Sequence, residues 1–396
     1  MKRRDFIKQS AFVTAGTLLV PSFLKNLGME EPGDKKLVVV QLSGGNDGLN
    51  TIVPFENPVY HNSRTQLALK ENEIIRINET LAFNKSLEAL RPVWDQGYMS
   101  VLNGVGYPNP DRSHFRSLDI WHTASDANEY LNTGWIGRYL DSECPGCEKA
   151  WAAVEVDDSL SLAMKGKNKN GFAVKDTGLL YRNTKEPFFA GVTNAQKPDM
   201  LNEDNQGYLY KVMADTASGA EFIFEKTKTA VSKHEYPESA FAKQLKQVAQ
   251  FIRSGINTRV YYVSLGGFDT HNNQRGRQDR LLKQWAEGIR AFMKDMKDAG
   301  QADNVLVMTF SEFGRRVSQN ASGGTDHGTA NNLFLFGGKL KKSGFLNDMP
   351  SLNNLDNGDL IYAQDFKNVY ATLLEKWLGI DHQKVLNRKY NMLDFI

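Results

Sequence analysis

Three apolar runs constrain the fold of this chain more than any other feature. Leu37–Leu42, Val260–Leu265 and Val305–Phe310 are short, rich in β-branched or large apolar side chains, and followed at once by glycine and polar residues. Runs of that length and character suit strands buried on both faces. Between the second and third lies Gln278–Ala299, with Leu282, Trp285, Ile289, Phe292 and Met296 at helical spacing and Gly300 as its stop. Ser239–Arg253, ahead of the second run, places Phe241, Leu245, Val248 and Ile252 on one helical face. Strand–helix–strand alternation predicts an α/β fold, a mostly parallel central sheet flanked by helices.

The remaining segments extend that pattern. Met99–Leu102 and Asn332–Phe336 read as further strands; Phe83–Asp95, the segment after Ser113 to Thr123, Gly134–Asp141 and Asp365–Leu378 read as helices. Residues 142–236 are irregular, with strand-like stretches at Trp151–Val156 and Gly171–Val174 and a mixed helical pattern over Asn194–Ala230. They are expected to form an insertion or cap on one domain spanning 35–396, and 396 residues suffice for a single large core.

Charge and the N-terminus narrow the function classes. The formal charge is +2, with no Lys/Arg block beyond the N-terminus, so nucleic acid is not indicated. Lys2-Arg3-Arg4-Asp5-Phe6-Ile7-Lys8 followed by the apolar run Ala11–Val20 resembles a twin-arginine signal peptide over residues 1–22. It predicts export through the twin-arginine translocase to the periplasm. The run is shorter than the ~20 residues a spanning helix needs, so no transmembrane segment is expected. In that oxidising compartment Cys144 and Cys147 read as a local disulfide, since no thioredoxin-like context surrounds the pair.

Ligands in open α/β sheets bind just past the carboxyl ends of the strands. Here those ends carry Asp47, then Asp269-Thr270-His271, then Ser311-Glu312 with Asp326-His327 beyond. Carboxylates and imidazoles so gathered make a candidate metal site, although Asn46-Asp47-Gly48 is also ordinary turn chemistry. Ser113 stands near a helix start, where it either caps the helix or faces an anion as a hydroxyl nucleophile. Glu312 either ligates or supports a metal, or pairs with Arg315 or Arg316. Lone histidines such as His114 and His122 are read as ordinary packed or surface residues.

Together the motifs Leu42-Ser-Gly-Gly-Asn-Asp-Gly-Leu-Asn, Ser113-His-Phe, Gly267-Phe-Asp-Thr-His, Phe310-Ser-Glu-Phe-Gly-Arg and Asp326-His-Gly-Thr-Ala resemble the exported bacterial family called domain of unknown function 1501. That family is similar to the alkaline phosphatase and sulfatase superfamily, so the resemblance implies an alkaline-phosphatase-like sheet. It implies that Asp47 binds metal after the first strand, that Ser113 is the nucleophile, and that Asp269 and His271 hold one metal. Glu312 then falls where an Asp-His pair is usual, and His327 matches a later lone histidine ligand. Two departures stand out: the aspartate-to-histidine gap in Asp269-Thr-His271 is short, and Ser311-Glu312 replaces Asp-His. The histidines suit zinc or manganese better than calcium, which prefers oxygen ligands. The implied activity is metal-dependent hydrolysis of phosphate or sulfate esters, on a small anionic or glycan-linked substrate, with Arg315 forking the anionic oxygens. The alternative is a non-catalytic envelope binding protein on the same fold.

Overall fold

The computed structural model describes residues 35–142, 149–194, 205–230, 232 and 234–396. The expected export segment, residues 1–22, and the Cys144–Cys147 pair lie outside the described residues. Among the described residues, the central sheet has nine strands: β1 Lys36–Ser43, β2 Met99–Gly106, β3 Ala153–Glu155, β4 Phe172–Ala173, β5 Val260–Gly266, β6 Val305–Phe310, β7 Asn331–Phe336, β8 Gly344–Phe345 and β9 Gln364–Asp365. Their order is β8-β2-β7-β6-β1-β5-β3-β4, with β9 also on β2.

Among the described residues, the helices of seven residues or more are α1 His114–Thr123, α2 Trp135–Asp141, α3 Thr177–Thr184, α4 Pro187–Asn194, α5 Asn205–Thr227, α6 Ala240–Arg253, α7 Gln274–Asp298 and α8 Phe366–Thr372.

The three apolar runs form adjacent strands at the centre. β1 pairs in parallel with β5, Leu37 opposite Val260 and Ser43 opposite Gly266, and with β6, Lys36 opposite Val305 and Gln41 opposite Phe310. Parallel pairing in this register brings the turns after all three strands to one edge of the sheet. Side-chain alternation sends Val38, Val40, Tyr261, Val263, Val305 and Val307 to one face, where α6 and α7 cover them with Phe241, Leu245, Leu282, Trp285 and Phe292. Leu37, Val39, Val260, Tyr262, Leu306 and Met308 face the other way, onto Ile120 and Trp121 of α1, Trp135 of α2 and Val369 and Tyr370 of α8. Each such fully buried large side chain contributes roughly 1.5–3 kcal/mol. A sheet covered on both faces explains why its central strands read as continuous apolar runs.

The sheet is mostly parallel, but β7 runs antiparallel to both β6 and β2. Burial on two faces leaves the same apolar pattern whichever way a strand runs. A second difference lies at Phe83–Asp95, expected as one helix. Ala82–Asn84 is a short strand, Lys85–Leu90 a 3-10 helix, and Arg91–Asp95 a separate helix with proline in its first turn. Pro92 lacks an N–H to continue a preceding helix but is well suited to starting a new one. Asp365 caps α8 as expected, accepting from Lys367 N–H at 2.9 Å, but α8 relaxes into a π turn over Leu373–Trp377. Within residues 142–236, β3 and β4 extend the main sheet beyond β5, and α5 packs on α3, α4 and α6.

Candidate metal centre

Asp269 is the hub of the strand-end cluster. It follows β5 on the turn Gly266-Gly267-Phe268 and is packed against the turn after β1. A Cβ placed on Gly44, whose φ is +116°, would lie 2.4 Å from the Asp269 nitrogen. No side chain fits there, so glycine lets the two turns touch. Arg315, just past β6, then ties three turns together. Its Nε donates to the Gly45 carbonyl at 2.7 Å, Nη1 to Thr325 at 2.8 Å, and Nη2 to Gly44, to Phe268 at 3.0 Å and to Asp269 Oδ1 at 2.8 Å.

Three imidazoles converge on the same carboxylate oxygen. The Nε2 atoms of His271, His327 and His114 lie 3.1, 3.2 and 3.4 Å from Asp269 Oδ1. His271 and His327 Nε2 are 2.9 Å from each other. Donor atoms of His114, Asp269 and His327 all fall within 4.8 Å of one another. His271 and Asp269, their side chains 43% and 47% exposed, open the cluster to solvent. The ring of Phe313 packs against those of His114 and His327, at centroid distances of 4.9 and 4.7 Å.

The far nitrogen of each ring is held by an acceptor. His327 Nδ1 donates to the backbone carbonyl of Arg112 at 2.7 Å, His114 Nδ1 to Glu312 Oε1 at 2.9 Å, and His271 Nδ1 to Asp326 Oδ1 at 3.2 Å. With the proton on Nδ1, a neutral ring presents a bare Nε2 lone pair. These partners therefore assign three lone pairs to the space around an anionic oxygen. Buried His114 Nε2 has no hydrogen-bond partner among the described residues. A cation placed among these atoms would relieve that crowding. Donors at neighbouring tetrahedral corners, each about 2.0–2.1 Å from an ion, would sit about 3.3 Å apart, close to the 3.1, 3.2 and 3.4 Å that separate the three Nε2 atoms from Asp269 Oδ1. The outer carboxylates and carbonyl form the shell that normally orients metal-binding histidines.

Protonation follows the same contacts. Burial opposes ionisation of Asp269, but the hydrogen bond and the positive charge of Arg315 hold its carboxyl well below the ordinary range. The Glu312 hydrogen bond draws His114 up, while burial pushes His327 down. His122 differs from His114 altogether. Buried beside Gln41 and Tyr262, it is pushed down to about 4 and is a neutral core residue.

The expected residues thus fall into two groups. Asp269, His271 and His327 come together, joined by His114. Its sequence signal was faint: a histidine beside Ser113, at the first position of α1. Glu312 is fully buried and pairs with His114, not with an arginine; its Oε1 also accepts the Gly44 N–H at 2.8 Å. Asp47 joins a different cluster, with Arg64 Nη1 at 2.6 Å and Gln274 Nε2 at 2.5 Å from its Oδ2. Arg315 was expected to meet anionic oxygens of a substrate. Its side chain is 0% exposed and every guanidinium nitrogen is engaged, so it positions Asp269 instead. Ser113 is the N-cap residue of α1, yet its side chain makes no capping hydrogen bond and it lies exposed next to His114.

A second gathering of Glu375, Asp381 and His382 has no such vacancy of roles. His382 bonds Glu375 through Nδ1 and accepts the Tyr390 N–H at Nε2, while Asp381 caps a helix by accepting from Gln383 N–H.

A family profile described as "Protein of unknown function (DUF1501)" matches residues 166–392. No curated protein matches the chain significantly. Among solved structures, the chain is similar to the PsFucS1 sulfatase from Pseudoalteromonas sp., with 12% identity and a TM-score of 0.42, covering 94% of this chain and 73% of that one. It is also similar to the zinc complex of the C-terminal periplasmic domain of EcEptC from Escherichia coli, at 10% identity and TM-score 0.41, covering 88% and 84%. A third is the lipoteichoic acid synthase LtaP from Listeria monocytogenes, at 10% identity and TM-score 0.40, covering 90% and 76%.

Proposed function

We propose that this chain, which belongs to the DUF1501 family, is an exported, metal-dependent hydrolase of phosphate or sulfate esters. The observation that supports a metal is the convergence of three imidazole Nε2 atoms on Asp269 Oδ1, at 3.1, 3.2 and 3.4 Å. His114, Asp269, His271 and His327 would hold a divalent ion, and their nitrogen-rich donor set suits zinc or manganese better than calcium. When bound, such an ion polarises an ester oxygen and lowers the pKa of a nearby nucleophile.

The chain's own residues supply the rest. Ser113 Oγ, not engaged in capping, is the nucleophile. It heads a ten-residue helix, whose free N–H groups and dipole favour an anionic group at that point. Glu312, Asp326 and the Arg112 carbonyl keep the three rings turned inward, and Arg315 fixes the aspartate. Export through the twin-arginine route is part of the proposal. Among the described residues, no helix is long and apolar enough to cross a membrane.

One observation favours a second reading, a non-catalytic binding protein of the envelope. Four protein donors match the closed ligand count of structural metal sites. Against it stands the solvent exposure of Asp269 and His271, which leaves an approach for water or substrate. The test is to purify the exported protein, measure bound metal and assay a panel of phosphate and sulfate esters. Ser113→Ala is expected to lose roughly 10³-fold or more of the activity at unchanged metal content. Full activity in that variant would remove Ser113 from the mechanism. Bound metal with no activity on any ester would favour the binding protein.

A further inference from the structure

We infer that the centre takes a single cation, and that the Arg64 guanidinium stands beside Asp47 in place of a second one. The inference rests on the metal-centre reading and adds the number of ions and a role for Arg64. The juxtaposition that carries it is a buried ion pair at the end of β1, one turn away from a cluster of bare imidazole nitrogens.

A second cation would need carboxylates not already matched with positive charge or donors. The turns after β1 and β6, which pack beside Asp269, offer Asp47 and Glu312, and both are taken. Asp47 is fully buried, as is Arg64, and the two meet at 2.6 Å. Gln274 donates to the same Oδ2 at 2.5 Å. Arg64 is itself locked in place, with Nε on the Val317 carbonyl at 2.8 Å, Nη1 on Asn50 Oδ1 at 3.0 Å and Nη2 on the Arg316 carbonyl at 2.8 Å. The guanidinium is always charged, and its fixed fork satisfies four acceptors that a metal ion would not bridge in this arrangement. Asp47 Oδ1 lacks a hydrogen-bond partner among the described residues, but a single oxygen is not a donor set. Glu312 is the other carboxylate. Its Oε1 receives His114 Nδ1–H and the Gly44 N–H, and Ser311 Oγ lies 3.3 Å from its Oε2. It serves the first ion through His114 rather than holding another.

The test strips the full chain with a chelator, titrates it with zinc alone and counts bound zinc by mass spectrometry. Wild type is expected to hold one zinc per chain. Asp47→Asn is expected to hold one as well, and Asp269→Asn to lose tight binding. Because Asp47→Asn leaves Arg64 buried without its counter-charge, an Asp47→Asn/Arg64→Gln pair, neutral on both sides, is measured beside it with the same expectation. Two tightly bound zinc ions in wild type would overturn the inference while leaving the metal-centre reading intact, and loss of the second in Asp47→Asn would name its ligand. No tight zinc in wild type would instead sink the metal-centre reading itself.

Discussion

Asp47 and Asp269 are both delivered past the ends of neighbouring parallel strands, and they meet opposite surroundings. Asp269 is half exposed and faces three ring nitrogens whose protons point away from it. Asp47 is sealed from solvent and faces a guanidinium. Topology alone therefore does not decide whether a strand-end carboxylate is left open to a cation; the charge already supplied by its neighbours does. Glu155, the last residue of β3, gives a third outcome. It is 5% exposed and accepts the Ser161 N–H at 2.7 Å, and burial holds its pKa up at about 7.

The largest effect on stability is expected where a fixed counter-charge is removed. Arg64→Leu leaves the Asp47 carboxylate buried and unpaired, which should lower the unfolding free energy by about 3–5 kcal/mol. Denaturant unfolding measures it. A loss below about 1 kcal/mol would mean that the pair does not act as matched charges.

Glu155 sharpens the comparison by pH. Its carboxyl keeps a proton in the folded state up to about 7, whereas the ordinary value is 4.5. A raised acid stabilises the fold below the lower value, and that stability is lost as pH rises towards the upper one. Glu155→Gln should flatten this dependence, removing roughly 1–3 kcal/mol of variation. Unfolding midpoints across that window provide the check, and an unchanged slope would show that Glu155 ionises freely.

A smaller and more local effect is expected at Glu312. Glu312→Gln keeps the shape but removes the charge that holds His114, so metal affinity should weaken roughly 10–100-fold. Zinc titration reads this directly. Unchanged affinity with only a lowered melting temperature would make Glu312 a packing residue.

The strands that build the site were legible because both faces of the sheet are covered, leaving unbroken apolar runs at Leu37–Leu42, Val260–Leu265 and Val305–Phe310. Their glycine-bearing turns marked Asp47, Asp269 and Glu312 as strand-end residues. What each carboxylate meets was not legible, because it depends on partners far along the chain. Arg64 sits in the polar stretch before Glu79, where no periodicity singles it out, and its other bonds reach Arg316 and Val317. His114 was passed over as a lone histidine. Its role rests on Glu312, 198 residues later, and on Asp269, neither of which local sequence brings near. Arg315 looked available beside a strand end, and only the folded turns show its guanidinium fully engaged.

The central claim is that His114, Asp269, His271 and His327 hold one metal ion. Anomalous scattering at the zinc absorption edge, from crystals of the zinc-loaded protein, tests it most directly. The expected result is one strong peak bonded at about 2.0–2.2 Å to three Nε2 atoms and an Asp269 oxygen. A peak bonded to Asp47, or zinc-loaded crystals with no peak among these four residues, would contradict it.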